Sequence, residues 1–125
     1  MQTSEEPPMN RAAVRRFKDP AYAALAPTLG DLRERIDTLD GQIVELLAQR
    51  ALCVRDATRF KRDAFQVAAP ARQAQVVERV RSLAERHSQN FPGFAQVVAT
   101  TYRAMVAGFI AGEAQLFKQT ELIDP

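Results

Sequence analysis

Residues 29–61 read LGDLRERIDTLDGQIVELLAQRALCVRDATRFK, and the spacing of their apolar positions decides the fold. Leu29, Leu32, Ile36, Leu39, Ile43, Leu46, Leu47, Val54 and Ala57 recur in steps of three and four, the period of a helix with one face to bury. Thr28 and Asp31, just after Pro27, form a helix start signal. No proline interrupts residues 28–69, and beyond the first turn Gly41 is the one glycine in the apolar run. The expectation is a first helix over about 30–64. Two cations, Arg50 and Lys61, fall on the apolar stripe. With Arg50 at zero, Leu32, Ile36, Leu39, Ile43, Val54 and Ala57 lie within about 40° and Lys61 within about 20°. Burying an unpaired charge is expensive even after relaxation, so these two positions call for a counter-charge.

The rest of the chain continues the helical pattern. Residues 65–70, FQVAAP, read as a connection, with Pro70 in the first turn of a second helix. That helix repeats Val76, Val80 and Leu83 on one face and ends before SQNFPG. A third helix begins near Pro92 and runs to about 119 through Phe94, Val98, Tyr102, Met105, Val106, Phe109, Ile110, Leu116 and Phe117. No segment shows competing strand alternation. The expected fold is all-α, three helices with one very long first helix. At about 1.5 Å per residue the first helix spans roughly 50 Å, whereas a compact monomer of this size is roughly 35 Å across. A second copy that interlocks and shares the core resolves the mismatch, so an intertwined homodimeric bundle is expected.

Composition bounds the function. A chain of 125 residues with net charge +2 is one domain without a strong field toward nucleic acid or an anionic membrane. The single cysteine, Cys53, excludes an internal disulfide framework and fits a reducing compartment; flanked by Leu52 and Val54, it reads as an inert packed thiol. No apolar run is expected to reach transmembrane length. Arg15-Arg16 precedes polar residues rather than an apolar h-region, which argues against a secretory or twin-arginine signal. The expected organisation is a flexible, proline-punctuated extension over 1–27, a helical domain over 28–120 and a tail over 121–125, in a cytoplasmic protein.

The same departure from pattern recurs on the other helices. Arg72 lies within about 40° of Val76 on the second helix, and Glu113 sits near the centre of the apolar face of the third. Arg33 lies about 100° from Arg50, on the flank of the first helix, where it can reach a neighbouring chain. A long cation at a seam edge is ordinarily one that snorkels into solvent, and Glu113 alone reads as half of a structural ion pair. Four departures on three helices read instead as a polar pocket inside a bundle. Arginine forks are the usual means of holding carboxylates, so the expected ligand is a small dicarboxylate. No metal-spaced His/Cys/Asp cluster, phosphate loop or nucleophile beside a base is present. His87, near the end of the second helix, reads as a helix C-terminal charge. No cofactor or metal is expected.

The run in residues 29–61 resembles the first helix of the all-helical chorismate mutase family, whose pattern is L-R-x-x-I-D-x-L-D, then L-x-x-R, then a lysine eleven residues on. The resemblance covers about residues 29–118. It implies an intertwined dimer of three-helix chains in which Arg33 is donated across the interface. It assigns Arg50 and Arg72 to carboxylates and Lys61 to the ether oxygen and a carboxylate. Glu113 stands where many bacterial members have a glutamine that donates to the ether oxygen. The implied reaction is the Claisen rearrangement of chorismate to prephenate, on the route to aromatic amino acids, with no metal, cofactor or covalent intermediate.

Two positions depart from the mutase pattern. A glutamate donates a hydrogen bond only when protonated; burial favours the neutral acid, and neighbouring cations favour the carboxylate. Activity is therefore expected to fall as pH rises. At the start of the second helix, where mutases carry a glutamate for the ring hydroxyl, this chain has Ala71, Gln73 and Val76. Gln73 is left as the candidate hydroxyl ligand. The local pattern ATRFK…APAR resembles the family's isochorismate pyruvate-lyase branch, which makes salicylate and which the resemblance also credits with weak mutase activity. Mutase is the first expectation and lyase the second. A non-catalytic dimeric binding module is the third; it predicts cations gathered on an exposed face, and NRAAVRRFK is the one basic cluster outside the seam. No nucleic-acid or membrane partner is expected.

Overall fold

The computed structural model describes residues 5–123. Four α-helices follow one another: α1 (Leu29–Ala57), α2 (Ala64–Ala68), α3 (Pro70–Glu85) and α4 (Phe94–Phe117). The chain is all-α, with three substantial helices and a long first one of 29 residues. Among the described residues, extended pairing is limited to one antiparallel bridge between Ala12 and Thr28. Residues up to Ala48 and residues from Gln49 onward form two compact units.

In the first unit, the Thr28 hydroxyl accepts from the Asp31 amide at 3.2 Å, the start signal read from the sequence. The segment before α1 lies against the helix start. The Met9 carbonyl accepts from the Gly30 amide at 2.8 Å, and a Cβ on Gly30 would stand 2.9 Å from that oxygen. Only glycine permits this approach. The seam residues that follow are open: Ile36, Leu39 and Ile43 are each more than half exposed.

The second unit is built on α4. Its apolar face packs against α3, and α2 and the turn Thr58–Phe60 that follows α1 also pack on α4. Ala84, Ala95 and Ala99 are buried together with Val67 and Val106, so small side chains allow α3 and α4 to approach closely. The larger apolar residues named from the sequence, among them Val98, Met105 and Phe109, are half-buried around that contact. By length and composition α4 is also apolar enough to cross a membrane, which corrects the expectation that no run reaches that length; here one of its faces packs on α3.

The sequence expectation of one helix to about 64 is corrected between 57 and 64. The α-helix ends at Ala57, a 3-10 turn covers Thr58–Phe60, and Lys61 is extended (φ −103°, ψ 132°). A new helix then starts because the Asp63 side chain caps it, accepting from the Gln66 amide at 2.9 Å. The Gln66 side chain returns the favour to the Arg62 amide at 2.6 Å, a variant of the capping box. The expected connection thus contains the short helix α2, which buries Val67. Ala69 turns the chain into α3 in the left-handed conformation (φ 43°, ψ 59°), and Pro70 follows in the first turn.

Candidate active site

Three helices of the second unit bring one face each to a single cavity of about 320 Å³. From α1 come Arg50, Cys53, Val54 and Ala57, spaced i, i+3, i+4, i+7; from α4 come Val106, Phe109, Ile110 and Glu113 with the same spacing. The start of α3 contributes Arg72, Gln73 and Val76, and Lys61 and Val67 close the wall. The volume suits a ligand of small-molecule size. Arg50, Lys61, Arg72, Gln73 and Glu113, separated by up to 63 positions in sequence, all line it.

The centre of the site is Glu113, 4 % exposed. Its Oε2 lies 3.3 Å from Lys61 Nζ and accepts from the Thr58 hydroxyl, also at 3.3 Å. Lys61 therefore reaches the cavity as expected, but by another route: the 3-10 turn and extended residue 61 deliver it, not a continuous helix face. The Arg50 guanidinium sits 5.3 Å from the centre of the Phe109 ring, a cation–π contact that positions the side chain without occupying its donors with a carboxylate. Arg72 is exposed at the cavity rim, and among the described residues it has no ion-pair partner. Gln73 Nε2 donates to the Ala68 carbonyl at 2.6 Å, so this amide fastens the α2–α3 turn and leaves its oxygen as the free group.

Two residues stand differently from the sequence reading. Cys53 is exposed and lines the cavity, not packed inert; it shares the face of Arg50 and Ala57, and its i+3 spacing from Arg50 was the available signal. Thr58, 3 % exposed, was not singled out at all, since its role depends on the helix ending there. Arg33 belongs to the first unit, where it contacts the Met9 sulfur and lies 3.7 Å from Glu6 Oε2. His87 follows the end of α3, with its ring edge-on to Phe94 at 6.3 Å. Among the described residues no group of three or more His, Cys, Asp or Glu is placed to hold a metal.

One acid and three cations around an apolar-walled cavity form a receptor for a small, multiply anionic molecule. The sequence signature of the chorismate mutase type II family matches residues 32–114. The chain belongs to the chorismate mutase type II family. Within its relatives, the isochorismate pyruvate lyase of Pseudomonas aeruginosa (strain PAO1) is 30 % identical over 92 residues, 74 % of this chain and 87 % of that protein. As a type II family member the chain carries an enzymatic fold whose matched segment includes Arg33, Arg50, Lys61, Arg72 and Glu113.

Proposed function

We propose that the chain is an isochorismate pyruvate lyase, releasing pyruvate and salicylate from isochorismate, and that the cavity around Lys61 and Glu113 is its active site. The observation that carries the reading is a cationic cavity holding one buried acid and no carboxylate on the α3 wall. Similarity to the Pseudomonas lyase across most of that protein's length supports it and reverses the order expected from the sequence, in which the mutase came first. Arg50 and Arg72 hold the two carboxylates. Lys61 donates to the ether oxygen as the carbon–oxygen bond breaks. A ring hydrogen moves to the enolpyruvyl methylene, which becomes the pyruvate methyl, while the ring becomes aromatic. The enzyme supplies a folded substrate and donors aimed at the departing oxygen.

The second reading is chorismate mutase. It rests on Gln73, which lines the cavity and whose amide oxygen can accept from the ring hydroxyl, and on Glu113 as a donor when protonated. Both readings share a homodimer in which a second copy covers the seam of Ile36, Leu39 and Ile43 and supplies Arg33. The exposure of that seam supports the dimer. Product analysis decides between them: purified protein is given isochorismate and chorismate separately at pH 5.5 and 7.5. Salicylate and pyruvate as the faster products establish the lyase. Prephenate as the faster product establishes the mutase, and no turnover of either overturns both.

A further inference from the structure

The two oxygens of Glu113 are not equivalent. Oε2 faces two donors, the Thr58 hydroxyl and the Lys61 ammonium, each at 3.3 Å. Oε1 has no hydrogen-bond partner among the described residues, although the side chain is buried and lines the cavity. We propose that Thr58 is a positioning residue that, together with Lys61, sorts these oxygens, making Oε2 the acceptor and Oε1 the oxygen that faces the substrate and bears the proton whenever the acid is neutral. The inference rests on the active-site reading above and deepens it.

The physical case is one of counting donors. A neutral carboxyl has one proton and one carbonyl oxygen. A proton on Oε2 would point at an ammonium, or at the Thr58 oxygen only while that hydroxyl gives its own proton to the Val54 carbonyl. A proton on Oε1 lets Oε2 accept from both neighbours and turns the donor into the cavity. Thr58 has a second acceptor within reach, the Val54 carbonyl at 3.2 Å, and its single hydroxyl proton serves one acceptor at a time. When that proton is given to Oε2, two donors hold the oxygen; when it is given to Val54, Lys61 holds it alone. The other polar or titratable groups lining the cavity around Glu113 are Arg50 and Cys53 from α1 and Arg72 and Gln73 from α3; α2 presents only apolar Val67, and α4 adds no second charge. Gln73 donates from its amide to the Ala68 carbonyl. Among these groups Thr58 is the neutral one that donates to Glu113.

The test compares Thr58→Val with Thr58→Ser in the full chain. Steady-state kinetics are measured between pH 5.5 and 7.5 with whichever substrate turns over. The C=O stretch of protonated Glu113 is read by infrared difference against Glu113→Gln. Loss of one hydrogen bond predicts a kcat about tenfold lower in Thr58→Val, with KM within about twofold and the C=O band moved to higher wavenumber. Thr58→Ser restores both. Thr58→Ala serves the same comparison if the valine variant does not fold. An unmoved band, equal losses in the serine and valine variants, or no protonated Glu113 band at the acid end overturns the proposal. The band is read without substrate, so it decides the role of Thr58 even where neither substrate turns over and the functional reading itself fails.

Discussion

The two ends of α1 carry one apolar periodicity and meet two different fates. In the first unit, Ile36, Leu39 and Ile43 stand more than half exposed in the single chain. In the second, Arg50, Val54 and Ala57 continue the same stripe and line a cavity shared with α3 and α4. The difference lies in what the sequence places opposite. The second unit has its own small-residue contact at Ala84, Ala95 and Ala99, whereas the first sets the segment before α1 against the helix start, through Met9, Ala12 and the Leu25 carbonyl, and leaves Ile36, Leu39 and Ile43 open. A stripe therefore states which residues need cover; it does not state whether cover comes from the same chain, another copy or a ligand.

The largest effect that would break this contrast lies in the cavity half. Lys61→Met removes the partner of Glu113 and with it the donor proposed for the ether oxygen, and kcat/KM is expected to fall by about 10²–10³; a loss under threefold would remove Lys61 from the chemistry. The seam half comes next. Leu39→Glu or Ile43→Glu is expected to convert the proposed dimer to monomer in sedimentation and to lower activity by roughly 10², as is Arg33→Ala, because the cation proposed to cross the interface is lost. A seam variant that stays dimeric and active would show that this stripe is not the interface.

The third comparison sets Glu113 against its amide. If the protonated acid is the donor, activity falls as pH rises and the proton is lost, and Glu113→Gln, which donates at every pH, flattens the profile. A variant that keeps the wild-type slope would assign the titration elsewhere. The smallest effect is structural. Asp63→Ala removes the cap of α2 and is expected to lower stability by about 1 kcal/mol in denaturant unfolding, since the α2 turn bears Val67 into the cavity wall. No change would mean that Pro70 and Val67 alone fix this turn.

Much of the site was legible because charge on an apolar stripe is costly and therefore conspicuous. Arg50, Arg72 and Glu113 were each marked by departing from the pattern of their own helix, and the cavity contains all three. Lys61 lines the cavity, but the helical wheel that points to it rests on an incomplete reason: a wheel drawn through residue 64 ignores the break at Ala57, and it is the intervening 3-10 turn, at three residues per turn, that returns the chain to nearly the same side. What the wheel could not show was Thr58, which matters only because the helix ends there. The Asp63–Gln66 capping pair that ends the long helix was present in the sequence, yet periodicity outweighed it. Cys53 was misread from its apolar neighbours in sequence, when its neighbours on the helix face, Arg50 and Ala57, determine what it meets.

The most direct measurement of the central claim is complementation between two inactive variants. Arg33→Ala lacks the arginine proposed to cross the interface, and Lys61→Met lacks the lysine of the cavity. Unfolded together in equal amounts and refolded, they form mixed dimers in which one site has lost both residues and the other has lost neither. Random pairing of a two-fold symmetric dimer then restores about a quarter of wild-type activity, from two proteins that are each inactive alone. A mixture no more active than its components would contradict the account: the cavity would not be completed by a second copy, and the exposed half of α1 would require another explanation.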